Sequence, residues 1–174
     1  MTEVPSIVVL GVGNTLMQDD GIGVQAVRAL AEVYNFPAHV RLVEAGTAGL
    51  RLLSELDGAA HLLVIDAVSG KEEPGSIYRL TPEDLPKEQG PLISAHEVGI
   101  AELLSAAELL GKRPHTRILG VQPLEAQAAG LELTPPLQKA LPFVVAAAVE
   151  ELQAMGVEMK TNKLQSSASG GHHA

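Results

Sequence analysis

Ser6-Ile7-Val8-Val9-Leu10-Gly11-Val12 is followed by the polar loop Gly13-Asn14-Thr15-Leu16-Met17-Gln18-Asp19-Asp20-Gly21 and then by Ile22-Gly23-Val24. A short β-branched run closed by glycine is the pattern of a strand buried on both faces of a parallel sheet. Beyond the loop, Ile22, Val24, Ala26, Val27, Leu30 and Ala31 recur at helical spacing until Asn35-Phe36-Pro37, where proline forbids continuation. Strand, loop and helix together make the first half of a βαβ unit, and this points to an α/β fold.

The rest of the chain continues the pattern. Residues 40–44 predict a second strand, 45–49 a loop and 50–56 a short helix broken by Asp57-Gly58. His61-Leu62-Leu63-Val64-Ile65-Asp66 is another strongly apolar strand, ending on an acid. Ile77-Tyr78-Arg79-Leu80 alternates, and the connection from Asp66 to Ser76 is too short for a crossover helix, so this strand is expected antiparallel at an edge. Residues 97–110 predict a helix ended by Gly111, and 117–121 the last strand. Residues 135–155 predict a final helix with Thr134 as N-cap, proline in its first turn and a kink at Pro142. The element order predicts a three-layer α/β/α sandwich around a mostly parallel five-stranded sheet with one antiparallel edge strand. One domain is expected over residues 1–160, followed by a flexible tail over 161–174 that is low-complexity from Ser166 onward. If the strands at 6–12 and 61–66 are central neighbours, their C-terminal ends border the crevice where open α/β sheets bind ligands.

Composition narrows the functions. Apolar residues make up 46% of the chain but aromatic ones only 2%, so Val, Leu, Ile and Ala must build the core. Twelve basic against 21 acidic residues give a formal charge of −9, which repels phosphate backbones and anionic lipid; neither nucleic acid nor membrane is an expected partner. The absence of Cys removes disulfides, thiolate ligands and a thiol nucleophile, and fits a reducing cytoplasm. No basic-then-apolar leader opens the sequence and no apolar run is long enough to span a bilayer, so a soluble, cytoplasmic protein is expected.

Three ionisable residues follow strand ends or strand-adjacent loops: Asp20, Asp66 and His96. Two carboxylates and an imidazole make a mixed site for a borderline divalent ion, with positions left open for water or substrate. By spacing alone a structural role is equally open, since acids at such places also cap backbone N–H groups. The loop Gly11 to Gly23 invites a dinucleotide-binding reading, but Leu16 stands where the third glycine belongs and two acids sit where pyrophosphate would dock. Asp19 reads as a helix-end acid. Gly46, Thr47, Ala48 and Gly49 either line a substrate groove or simply supply the small residues of a strand-to-helix turn. Gln122-Pro123 is placed beside the cleft, and His39, His61 and His115 on the surface at strand starts. With no Cys and no Gly-x-Ser-x-Gly elbow, a covalent nucleophile is not evident, and direct attack by water is the simpler chemistry.

The run from Gly11 through Asn14, Asp19, Asp20 and Gly23 to Val24 resembles the opening motif of the hydrogenase maturation endopeptidases, a family of nickel-dependent proteases. So do Glu44-Ala45-Gly46-Thr47-Ala48-Gly49, Leu63-Val64-Ile65-Asp66-Ala67-Val68 and Ile93-Ser94-Ala95-His96-Glu97-Val98-Gly99, in the same order, within a similarity that runs from about Ser6 to about Gly156. The resemblance implies that Asp20, Asp66 and His96 bind metal and carry catalysis, with nickel as the metal, held by the enzyme or supplied by its substrate. It also implies a partner: the nickel-loaded precursor of a [NiFe]-hydrogenase large subunit, from which a C-terminal extension is cut. A nickel-binding checkpoint that recognises the loaded precursor without cutting it, and a nucleotide-binding module, are the competing readings.

Overall fold

The computed structural model describes residues 6–85 and 95–162, and among these the side chains other than those of 95–98. The strands are β1 (Ser6–Val12), the two-residue β2 (Tyr34–Asn35), β3 (Val40–Gly46), β4 (Ala59–Ala67), β5 (Ile77–Leu80), β6 (His115–Val121) and the two-residue β7 (Lys160–Thr161). The helices are α1 (Ile22–Val33), α2 (Ala95–Leu109) and α3 (Pro135–Ala154). Five strands form the main sheet in the order β3-β1-β4-β6-β5, all parallel except β5, which pairs antiparallel with β6 at the edge.

Side chains alternate across this sheet. Ile7, Val9, Leu63, Ile65, Leu119 and Val121 pack with α1 and α3 on one face. Val8, Leu10, Leu62, Val64 and Ile118 pack with α2 and the 3-10 segment Gly49–Leu56 on the other. Burial on both faces is why these strands read as continuous apolar runs rather than as alternating ones. Each large aliphatic side chain buried in this way contributes about 1.5–3 kcal/mol.

The expected short helix at 50–56 is a 3-10 helix rather than an α-helix. Its eight residues connect β3 to β4 across β1. A 3-10 rise of about 2.0 Å per residue covers more of that span than the 1.5 Å of an α-helix. α1 gives way at Tyr34 to β2, which pairs antiparallel with β7, and the Asn162 N–H donates to the Val33 carbonyl at 2.7 Å. The remainder of the expected tail lies outside the described residues. α3 runs unbroken through Pro142. Thr134 stands at its N-cap, but its side chain makes no capping bond.

Two close approaches position the site. A Cβ on Gly23 would lie 2.0 Å from the Ile65 carbonyl oxygen and 2.5 Å from that of Val12, and one on Gly11 would lie 2.4 Å from the Gly23 oxygen. The first turn of α1 therefore sits directly on the C-terminal ends of β1 and β4. From β1 the chain crosses to β3 by way of α1, and from β3 to β4 on the opposite face, so the ends of β1 and β4 form the switch point of the sheet. The other edge is marked by the Lys112–Asp57 ion pair at 2.6 Å, which ties the segment after α2 to the start of β4.

Candidate functional site at the C-terminal edge of the sheet

Asp20 lies in the 3-10 turn Gln18–Gly21 that leads into α1. Its Oδ2 accepts the Asn14 N–H at 2.8 Å, while Asn14 Oδ1 accepts the Leu16 N–H at 2.9 Å. The loop can fold this tightly because Gly13 has a φ of +124°, and a Cβ there would lie 1.8 Å from the Asp20 carbonyl oxygen. Asp66 is the last residue but one of β4, is 1% exposed, and stands opposite Gly120 of β6. The turn carrying Asp20 packs against β4, so both acids belong to the same edge.

α2 begins at this edge too. Gly99 faces Gly49 closely enough that a Cβ on it would lie 4.0 Å from the Gly49 Cα. The Gly46 carbonyl accepts the Gly13 N–H at 2.9 Å, which ties the 46–49 loop to the loop of Asp20. His96 lies in the first turn of α2, three residues before Gly99; its side chain is outside those described. Among the described residues no group of three metal-capable side chains assembles.

Gly46, Thr47 and Gly49 line a crevice of about 70 Å³ with Val12, Gly99 and Ile100. Ala48, the remaining residue of that motif, packs instead on the core beneath α2. A larger groove of about 380 Å³ between Leu53, Leu110 and Lys112 lies toward the opposite edge and away from the acids. His61 and His115 also stand at that opposite edge, ring to ring at 5.8 Å, and take no part in the site.

Asp19 stands in the first turn of the 3-10 helix Gln18–Gly21, as expected, but its carboxylate bonds to a remote segment. It is fully buried, and its Oδ2 accepts the N–H groups of Leu124 at 2.9 Å and Glu125 at 3.0 Å and the Thr134 hydroxyl at 2.7 Å. Its Oδ1 accepts the Thr134 N–H at 2.8 Å. The hydroxyl expected to cap α3 is thereby given to the loop of Asp20. In the sequence Asp19 is marked only as the first of two consecutive acids.

Gln122 likewise does more than flank the cleft. Only 9% exposed, its Oε1 accepts the Tyr78 hydroxyl and the Gly70 N–H, both at 2.7 Å, and its carbonyl accepts the Gly75 N–H at 2.8 Å. These bonds pin the segment that leaves β4 just after Asp66.

With this geometry in place, comparison with known proteins decides the family: a family model described as hydrogenase maturation protease matches residues 24–151. The chain belongs to the hydrogenase maturation protease family. It is 38% identical over 155 residues to the hydrogenase expression/formation protein HupD of Rhodobacter capsulatus, covering 88% of this chain and 74% of that protein. To the hydrogenase 2 maturation protease of Escherichia coli it is 37% identical over 154 residues, covering 87% of this chain and 93% of that one. The solved hydrogenase maturating endopeptidase HybD from E. coli superposes with a TM-score of 0.83 at 32% identity, over 92% of this chain and 99% of that chain. This hydrogenase maturation protease is an endopeptidase on the mostly parallel five-stranded α/β fold of its relatives. Among its described residues no helix is long and apolar enough to cross a membrane.

Proposed function

We propose that this protease cuts the C-terminal extension from the nickel-loaded large-subunit precursor of a [NiFe]-hydrogenase in the cytoplasm, using or recognising nickel through Asp20, Asp66 and His96. The observation that carries the reading is the seating of the Asp20 turn on the end of β4, with α1 packed against the carbonyl of Ile65, the residue before Asp66. The donor set fits the metal: two carboxylates and an imidazole, without thiolates, suit a borderline divalent ion held in an incomplete cage. Nickel at this place supplies Lewis acidity toward the scissile carbonyl or the attacking water.

The protein's own part is to orient and to accept protons. With neither a Cys nor a Gly-x-Ser-x-Gly elbow in the chain, water is the simpler attacking group, and a carboxylate of Asp20 or Asp66 takes its proton as the tetrahedral centre forms. The proton then passes to the leaving amine. Gly46, Thr47 and Gly49, on the crevice between the Asp20 loop and α2, are assigned to the precursor's extended terminus, with Ala48 supporting the loop from below.

An acid-acid-imidazole site distinguishes poorly between one extended peptide and another, so precursor nickel with an open coordination position supplies the selectivity. Each tenfold preference needs about 1.4 kcal/mol of differential binding, within reach of one metal–ligand contact. The test is a paired digest of precursor prepared with and without nickel, read by intact mass, with His96→Ala as control. Cleavage of the loaded form alone, lost in the variant, supports the reading. Equal cleavage of both forms removes nickel as the handle, and no cleavage of either favours a checkpoint that binds without cutting.

A further inference from the structure

The loop that carries Asp20 makes a parallel bridge from Met17 to Gly130 and is held by a segment more than a hundred residues further along the chain. The Gln18 N–H donates to the Gly130 carbonyl and the Gly130 N–H to the Leu16 carbonyl, each at 2.9 Å. The Asp19 N–H donates to the Glu125 carbonyl at 3.0 Å, and the Asp19 carboxylate takes the four bonds from Leu124, Glu125 and Thr134 described above. The fit is tight: Gln18 is held at a φ of +51°, and a Cβ on Gly130 would lie 2.7 Å from the Gln18 Cγ.

We propose that Asp19 is a positioning residue for the reaction: by locking the Gln18–Gly21 turn to the 124–134 segment, it fixes where Asp20 presents its carboxylate. The proposal rests on the reading of Asp20 as a metal-site residue. A carboxylate is the group this lock requires. All four partners are donors, so both oxygens must accept, and an ionised acid does so with stronger, charge-assisted bonds. Asparagine would turn an NH₂ toward an N–H or a hydroxyl at one of the two positions. Asp19 and Asp20 share a peptide unit, so any relaxation of the lock is passed directly to the neighbouring carboxylate. A displacement of about 1 Å at a reacting group can lower the rate roughly 100-fold.

The test uses the full chain with Asp19→Asn and Thr134→Val, the second removing only the hydroxyl donor, and with Asp20→Asn alongside. One readout is amide hydrogen exchange at Asn14, whose N–H donates to Asp20 Oδ2 and so reports the carboxylate's position without any metal. The other is kcat and KM on nickel-loaded precursor. The expected result for folded Asp19→Asn is Asn14 exchange at least tenfold faster and kcat lowered by about 10–100-fold with KM within about twofold, and smaller changes of the same kind in Thr134→Val. Wild-type exchange and kcat in a folded Asp19→Asn protein would overturn the proposal and leave the lock a stabilising device only. If Asp19→Asn does not fold, the same comparison in Thr134→Val decides. Full processing by Asp20→Asn would strike the metal-site reading and the positioning role with it, whereas loss in Asp20→Asn with none in Asp19→Asn strikes the positioning role alone.

Discussion

Replacing Gly23 by alanine places a methyl group where two carbonyl oxygens already stand. The new Cβ would lie 2.0 Å from the Ile65 oxygen and 2.5 Å from the Val12 oxygen, and neither backbone can swing aside as a side chain would. Relief to even 3.0 Å, a distance shorter than nearly all real Cβ contacts, requires α1 and β4 to separate by about 1 Å. Two effects oppose each other. Glycine to alanine inside a helix gains about 1 kcal/mol, whereas overpacking against fixed backbone costs about 3 kcal/mol or more. The clash wins, leaving a net loss of roughly 2 kcal/mol, which for a chain of this size lowers the melting temperature by about 4–8 °C. Ile65 precedes Asp66, so processing should also fall at room temperature, where the variant is still folded. Thermal unfolding by circular dichroism and precursor cleavage by intact mass measure the two effects. Gly99→Ala is the contrast, because among the described residues its Cβ would meet nothing nearer than the Gly49 Cα at 4.0 Å, and its melting temperature should equal or exceed that of the wild type. A Gly23→Ala protein as stable and as active as wild type would refute the close packing of α1 on the strand ends.

Leu63, fully buried at the centre of β4, should lose about 2–5 kcal/mol as alanine, seen as a lower urea midpoint with an unchanged slope. Arg79 pairs with Glu150 at 2.7 Å and Glu151 at 2.6 Å, yet its side chain is 47% exposed, so Arg79→Ala should change stability by about 1 kcal/mol at most and leave processing intact. The Lys112 ammonium, by hydrogen bond first and by charge second, holds the Asp57 carboxyl below its ordinary value of 3.8. A lowered folded value means that this contribution is present above the ordinary value and is lost as pH falls through the folded one. Lys112→Met should therefore raise the Asp57 value, followed by NMR titration, and flatten the pH dependence of stability below about pH 4.

The fold was legible because its strands are buried on both faces. Runs such as Ile7 to Leu10 and Leu62 to Ile65 have no polar interruption, and the short link from Asp66 to Ser76 required β5 to be antiparallel. β2 and β7 were not legible, since two residues carry no periodicity and their pairing joins positions more than a hundred residues apart. The 3-10 character of Gly49–Leu56 depends on the span it must cross, which only the sheet order reveals. At the site, Asp20 and Asp66 could be singled out as candidates because one lies in the loop after β1 and the other beside the last residue of β4, but their role came from the resemblance to a known family and not from spacing. Asp19 and Gln122 could not. Their roles lie in hydrogen bonds to the backbone of remote loops, such as Leu124, Glu125 and Gly70, and backbone donors are the same for every residue type.

The most direct test of the central claim is the intact mass of the large subunit after nickel-loaded precursor is incubated with wild-type protein and with Asp66→Asn. Asp66→Asn nearly preserves volume at a position that is 1% exposed but removes the anionic oxygen pair preferred by a divalent cation. With both proteins shown to melt cooperatively, wild type should shorten the subunit by the mass of its C-terminal extension, and Asp66→Asn should leave it at precursor mass. Wild-type cleavage by Asp66→Asn would contradict the account.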